Sequence, residues 1–330
     1  MPRHRVLHSM RAPGSETRYS NHMAAVESAD FSMEFFTWRR ALTGHYDLFH
    51  LHWPEQLLGR EVGVTGWIRW MRVRALIHRL RRRRTPVVYT KHNQRPHDRV
   101  PSPRLIRTVQ ELSALTVAEI HLVSEPGDAS TLSIFRIPHG HYREPLASHP
   151  RQRAVPGRVL SVGIIKRYKR IDKLVEAFAE LKDDDASLRV VGEPSDAHTV
   201  AVVERFARID GRVSSRYGFV SDRELVHEVT SAQLVVLPYA ELHSSGIALV
   251  ALSLDRPVLM PASPLADALR TEVGDGWVHV FSAPISVNAL KTALAAPRPV
   301  DRPNLDSRAW QRVKEAHTAV YRHALDSYGE

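Results

Sequence analysis

The chain has 330 residues, 43% of them hydrophobic and 25% charged, which fits two packed domains and excludes a disordered polymer. It contains no cysteine, which excludes disulfides, thiolate metal sites and cysteine nucleophiles and fits a reducing cytosol. A formal charge of +10 favours an anionic partner such as a phosphorylated ligand, nucleic acid or an acidic membrane surface.

The N-terminal stretch "MPRHRVLHSMRAPGSE" lacks the apolar segment of a signal peptide. No apolar run reaches the roughly 18 residues that span a bilayer, so a cytoplasmic location is expected. "HRVLHSM" reads as a first strand, and a weakly helical "SNHMAAVESA" follows. "YDLFHLHW", "TPVVYTKHN", "AEIHLVSE" and "LSIFRIPHG" read as further strands separated by helical stretches, the alternation of a parallel α/β sheet. Arg143 to Gly157, rich in Pro, Arg and Ser, reads as a linker.

The pattern then restarts. "GRVLSVG", "SLRVVGE", "RVSSRYGFV", "QLVVLPYA" and "RPVLMP" read as strands. "DKLVEAFAEL", "HTVAVVERFARI", "DRELVHEVTSA" and "GIALVALSL" read as the helices between them. A final helix, "SRAWQRVKEAHTAVYRHAL", carries Trp310, Val313, Val320 and Tyr321 on one face. The expected domains are 1–145, 146–305 and a C-terminal helix, 306–330, that returns to the first domain.

Ligands of open α/β sheets bind beyond the carboxyl ends of the strands, and two segments of the second domain sit there. "VGIIKRYKRIDKLVEAF" ends a strand at Gly163 and places Lys166, Arg167, Lys169 and Arg170 before a helix. Such a loop suits a diphosphate, or it is a solvated basic turn. "LPYAELHSSGIALVALSL" puts Ser244, Ser245 and Gly246 where a helix begins. Free N–H groups and the macrodipole favour phosphate there, and plain N-capping by serine is the simpler reading. Two such loops in one domain point together to a nucleotide diphosphate.

These residues carry a resemblance. "GIIKRYKRIDKLVEAF" and "PYAELHSSGIALVALSLDRPVL" resemble the donor-binding segments of nucleotide-sugar glycosyltransferases of the GT-B fold. "YDLFHLHWPE", "VVYTKHNQRPHD" and "IPHGHY" resemble a bacterial exopolysaccharide and glycolipid subgroup that includes GDP-mannose-dependent β-mannosyltransferases. The resemblance implies two Rossmann-like doubly wound domains facing across a cleft. It implies transfer of a sugar from GDP-mannose, or a UDP-sugar, to a hydroxyl of a glycan or lipid-linked acceptor. No metal or other cofactor is expected, since a basic site can stabilise the leaving diphosphate and neither HExxH nor a clear Asp-x-Asp occurs.

Residue by residue, it implies that Lys169 contacts the donor diphosphate, with Lys166 where the family usually has arginine. Ser244, Ser245 and Gly246 match the phosphate turn. Gly218, Phe219 and Val220 match the segment that meets the base, while Gly192 and Glu193 line the nucleotide pocket. Where many retaining relatives carry two glutamates, this chain has Leu242 and Val250, so retention at the anomeric carbon loses its support. An inverting enzyme needs one general base. Glu55 and Asp98, each beyond a strand of the first domain, are the candidates, ahead of His97. His92 is expected to touch the donor sugar. His139 and His141 are expected to close the interdomain turn.

The segment Trp67 to Arg84 reads as a basic amphipathic helix, with Trp67, Trp70, Val73, Ile77 and Leu80 on one face. It packs on the sheet or docks on anionic lipid at the inner face of the plasma membrane. Three rival classes stay open. A nucleic-acid binder lacks an aromatic-interleaved basic strip. A dehydrogenase lacks G-x-G-x-x-G after any strand. A non-catalytic nucleotide-sugar binder would fail to turn over donor.

Overall fold

The computed structural model describes residues 3–14, 18–59, 63–92, 103–122, 133–240 and 246–327. The chain divides into two compact units, Met1–Gly140 with Ser307–Glu330, and His141–Asp306. The first unit contains β1 (His4–His8), α1 (Arg18–Ala25), β2 (Phe31–Phe35), α2 (Trp38–Thr43), β3 (Leu48–His52), α3 (Pro54–Leu58), α4 (Gly63–Arg82), β4 (Val87–Lys91), α5 (Pro103–Ser113), β5 (Thr116–His121) and β6 (Ser133–Arg136). Its strands form one parallel sheet in the order β2-β1-β3-β4-β5-β6.

The second unit contains β7 (Arg158–Val162), α6 (Ile171–Ala179), β8 (Ser187–Gly192), α7 (Ala197–Ile209), β9 (Val213–Tyr217), α8 (Asp222–Ser231), β10 (Leu234–Val236), α9 (Gly246–Ser253), β11 (Val258–Pro261), α10 (Pro264–Val273), β12 (Val278–Phe281) and α11 (Val287–Ala295). Its sheet is also parallel, in the order β12-β11-β10-β7-β8-β9. The last helix, α12 (Trp310–Asp326), belongs to the first unit and packs on β3, β4 and β5.

Each sheet is covered on both faces, so central strands are buried on both sides. All five residues of β3 are buried. The two-residue side-chain period sends Phe49 and Leu51 to a core with Val73, Leu76, Ile77 and Leu80 of α4. It sends Leu48 to the opposite core with Val313, Val320, Tyr321 and Ala324 of α12. Helix starts are set by short polar side chains: Ser221, Ser263 and Ser286 each accept a backbone N–H three residues on.

Two expectations are corrected. β2 was not expected, because "FSMEF" is an edge strand whose last four residues are only half-buried and the alternation is short. Arg143 to Gly157 is not a free linker. Arg143, Arg151 and Arg302 converge on Asp255 at 3.8, 2.9 and 3.0 Å, and Val155 N–H donates to Ser231 O. A Pro- and Arg-rich composition says nothing of a half-buried carboxylate a hundred residues away.

Candidate active site

In the second unit the ends of β7, β8 and β9 meet through backbone groups. Gly163 N–H donates to Val191 O at 2.9 Å, and Gly218 N–H donates to Gly192 O at 3.0 Å. Gly163 has φ +116 and Gly192 φ +151, conformations that a side chain disfavours. Ile165 N–H donates to Glu193 O at 2.8 Å, which ties the basic turn to the β8 loop.

The basic turn is a 3-10 helix, Arg167–Lys169, followed by Arg170 at φ 51. Two of its four cations turn towards carboxylates. Arg170 pairs with Asp172 at 3.5 Å. Arg167 and His198 add to the depression of the Asp196 carboxyl, whose larger cause is its hydrogen bonds to Thr199. Lys169 turns inward: a Cβ built on Gly163 would lie 3.4 Å from Lys169 Nζ and 3.7 Å from Ile247 Cγ1. The basic turn and the first turn of α9, more than seventy residues apart in sequence, therefore meet at Gly163. Burial pushes Lys169 down to about 8, and the Lys166 charge adds to this. Its ammonium lies 5.5 Å from the centre of the Tyr239 ring, and Tyr168 meets that ring edge-on.

Gly246 opens α9, which is buried from Ala248 to Ser253. Ser244 and Ser245 lie outside the described residues. The Phe219 ring is 58% exposed, and its carbonyl accepts from Arg216 at 2.7 Å. Val220 leans on the core instead. Sequence reasoning missed Tyr239 and Ile247. Tyr239 stands just after a strand, the position that marks ligand contacts in this fold class.

In the first unit, Glu55 lies in the first turn of α3, and burial raises its pKa. Its charge reaches Tyr89, whose hydroxyl is pushed up to about 12 by burial and then by Glu55 and Glu119. Asp98 and His97 lie outside the described residues. His92, just past β4, stacks on Trp53 with ring centres 3.9 Å apart. Its Nε2 lies 3.0 Å from His52 Nδ1. His139 meets the same aromatic group through Tyr19. His141 is in the second unit and pairs with Glu144 at 3.1 Å. The two histidines expected to act together are thus held by different partners.

Helix α4 buries Val73, Leu76, Ile77 and Leu80, while Trp67, expected on that face, is 53% exposed. Val64, Ile68 and Met71 are exposed beside it. Arg79 donates to Leu42 O at 3.0 Å and to Gly44 O. Among the described residues no helix is long and apolar enough to cross a membrane.

Residues 156–296 match the family described as glycosyl transferases group 1. The chain is 35% identical over 336 residues to a GDP-mannose:glycolipid 4-beta-D-mannosyltransferase of Xanthomonas campestris pv. campestris, an alignment covering 100% of this chain and 95% of that protein. Its fold is similar to that of Anabaena HepE in complex with UDP, at TM-score 0.65 and 14% identity, covering 99% of this chain and 100% of that one. It is also similar to sucrose-phosphate synthase from Thermosynechococcus elongatus, at TM-score 0.61 and 16% identity, covering 99% and 100%. With two parallel α/β units of the GT-B type and a relative matched from end to end, the chain belongs to the group 1 glycosyltransferases and is an enzyme of nucleotide-sugar transfer.

Proposed function

We propose that this enzyme transfers mannose from GDP-mannose to a hydroxyl of a glycolipid, with inversion and without a bound metal. The observation that carries the reading is the meeting of Lys169 with the start of α9 at Gly163. An ammonium and a helix N-terminus at one point suit a diphosphate. The curated relative named for GDP-mannose and a glycolipid supports the choice of donor and acceptor.

The steps balance simply. The acceptor oxygen forms a bond to the anomeric carbon as the bond to the diphosphate oxygen breaks, and GDP leaves. Lys169 and the α9 dipole offset the charge that develops on the leaving group. The hydroxyl proton passes to a carboxylate, Glu55 or Asp98. Burial raises the Glu55 pKa, in the direction that suits a general base near neutral pH. The exposed Phe219 ring is the stacking surface assigned to the base. A lipid-borne acceptor agrees with peripheral docking through α4, whose last turn runs into the exposed Arg81 to Arg84.

A thermal-shift series with GDP, UDP, ADP and dTDP tests the donor. The preferred diphosphate should add about 2.7 kcal/mol at a hundredfold excess over its dissociation constant. Stabilisation by UDP and not GDP would overturn the donor assignment, and stabilisation by none would overturn the Lys169 site. Labelled GDP-mannose with extracted glycolipid then tests transfer.

A further inference from the structure

Three imidazoles of the first unit form a line from the buried sheet to its edge. His8 Nε2 lies 3.2 Å from Met33 Sδ. His8 Nδ1 lies 3.1 Å from His52 Nε2, and His52 Nδ1 lies 3.0 Å from His92 Nε2. His8 and His52 are buried, while His92 is half-exposed.

The line has a direction, because one end cannot donate. A thioether sulfur only accepts hydrogen bonds, so the hydrogen of His8 belongs on Nε2, facing Met33. His8 Nδ1 is then an acceptor, which requires His52 to donate from Nε2. His52 Nδ1 is an acceptor in turn, which requires His92 to donate from Nε2. The lone pair of His92 is left on Nδ1. The opposite set would aim a ring lone pair at the sulfur lone pairs. Burial holds His8 and His92 down to about 3 and His52 well below its ordinary value, so all three rings stay neutral at working pH.

The outermost ring is also fixed in place. The Trp53 plane stacks on it at 19°, and Tyr19 meets it edge-on at 4.6 Å. Trp53 has φ 40, a conformation of some cost for a bulky residue and one found at ligand-holding positions. A shared metal is the competing use of His8, His50 and His52, which bring ring nitrogens within 4.8 Å of one another. Each of their nitrogens already has a partner, since His50 bonds the Tyr321 hydroxyl at 2.9 Å and Thr90 Oγ1 at 2.7 Å.

We propose that His8 and His52 are positioning residues that lock His92 as its Nε2–H tautomer, so that Nδ1 of His92 is a fixed hydrogen-bond acceptor for a sugar hydroxyl of the substrate. This rests on the glycosyl-transfer reading above. A contact of this kind selects a hydroxyl and rejects a deoxy sugar, because the fixed acceptor would be left unpaired beneath the bound sugar.

The test begins without substrate. Two-bond 15N–1H correlation spectra of histidine-labelled protein at neutral pH should show His8, His52 and His92 protonated on Nε2 alone. Protonation of His92 on Nδ1, or an imidazolium, overturns the lock. In transfer assays His92→Ala should lower kcat/KM about tenfold or more, the worth of one hydrogen bond, with GDP affinity unchanged. His92→Asn, which restores an acceptor near the Nδ1 position, should recover part of the loss. Met33→Leu conserves volume and fold and removes the terminal acceptor. It should raise the Nδ1–H fraction of His92 and lower kcat/KM about threefold. Wild-type kcat/KM in both His92→Ala and Met33→Leu overturns the sugar contact. A wild-type protein inactive with every donor would instead strike the transfer reading, while the spectra still report the tautomers.

Discussion

A Cβ built on Gly192 would stand 1.9 Å from the carbonyl oxygen of Gly163. Gly163 follows β7 and Gly192 ends the adjacent β8, and their contact leaves the Lys169 ammonium beside the Gly163 backbone. Gly192→Ala should therefore displace the Gly163 loop. We expect a loss of about 3 kcal/mol or more in urea unfolding and weaker GDP binding by calorimetry. Gly211→Ala, where a Cβ meets nothing within 4 Å, should change neither.

The lowered pKa of Lys169 gives a pH signature. In the free protein it loses its proton near pH 8, and a bound diphosphate raises that value. GDP affinity should hold below pH 8 and fall towards tenfold per unit above it. Lys169→Met should bind more weakly and lose this dependence. Free-state stability moves oppositely: the unfolded chain holds the extra proton between pH 8 and about 10.4, so this group adds stability as pH rises through that window. Titration calorimetry across pH 6.5 to 9.5 checks the affinity.

The buried histidines make the fold sensitive to acid. His8 is held down to about 3 and His317 to about 4, first by desolvation, and His50 and His52 lie well below their ordinary value. Below about pH 6.5 the unfolded chain binds protons that the folded chain refuses. Each such ring then removes up to about 1.4 kcal/mol per pH unit. Calorimetry should show the melting temperature falling steeply from pH 6.5 to 5. A flat profile would mean that these rings are not held neutral.

For the general base, Glu55→Gln and Asp98→Asn separate the two carboxylates. One of them should lose at least about a hundredfold in kcat while GDP affinity holds. Full activity in both would remove the carboxylate mechanism.

The exposed apolar residues of α4 predict vesicle binding. The protein should co-sediment with phosphatidylglycerol vesicles at low salt and be released as salt rises. Trp67→Ser should weaken the association.

Much of the second unit was legible because its elements are local. The run from "GRVLSVG" to "DKLVEAFAEL" carries its own period, and β7 and α6 lie where the apolar residues change spacing. The cation cluster was visible too, but not its division. Arg170 turns to Asp172 and Lys169 to Gly163, a choice made by which neighbours are within reach after folding. In the first unit His8, His50 and His52 looked like scattered histidines. They lie on adjacent parallel strands in a register that pairs His8 with His50, and no spacing within one strand encodes that.

By itself the sequence determined the two α/β halves and marked two turns of a kind that suits a diphosphate, because strand and helix periods and short loop motifs are written within a few neighbouring residues. Only the tertiary structure decided which lysine turns inward, that the start of α9 meets it, and that three imidazoles line up behind Met33. Those depend on contacts between residues far apart in the chain, where burial and backbone closeness, not local pattern, select the partner.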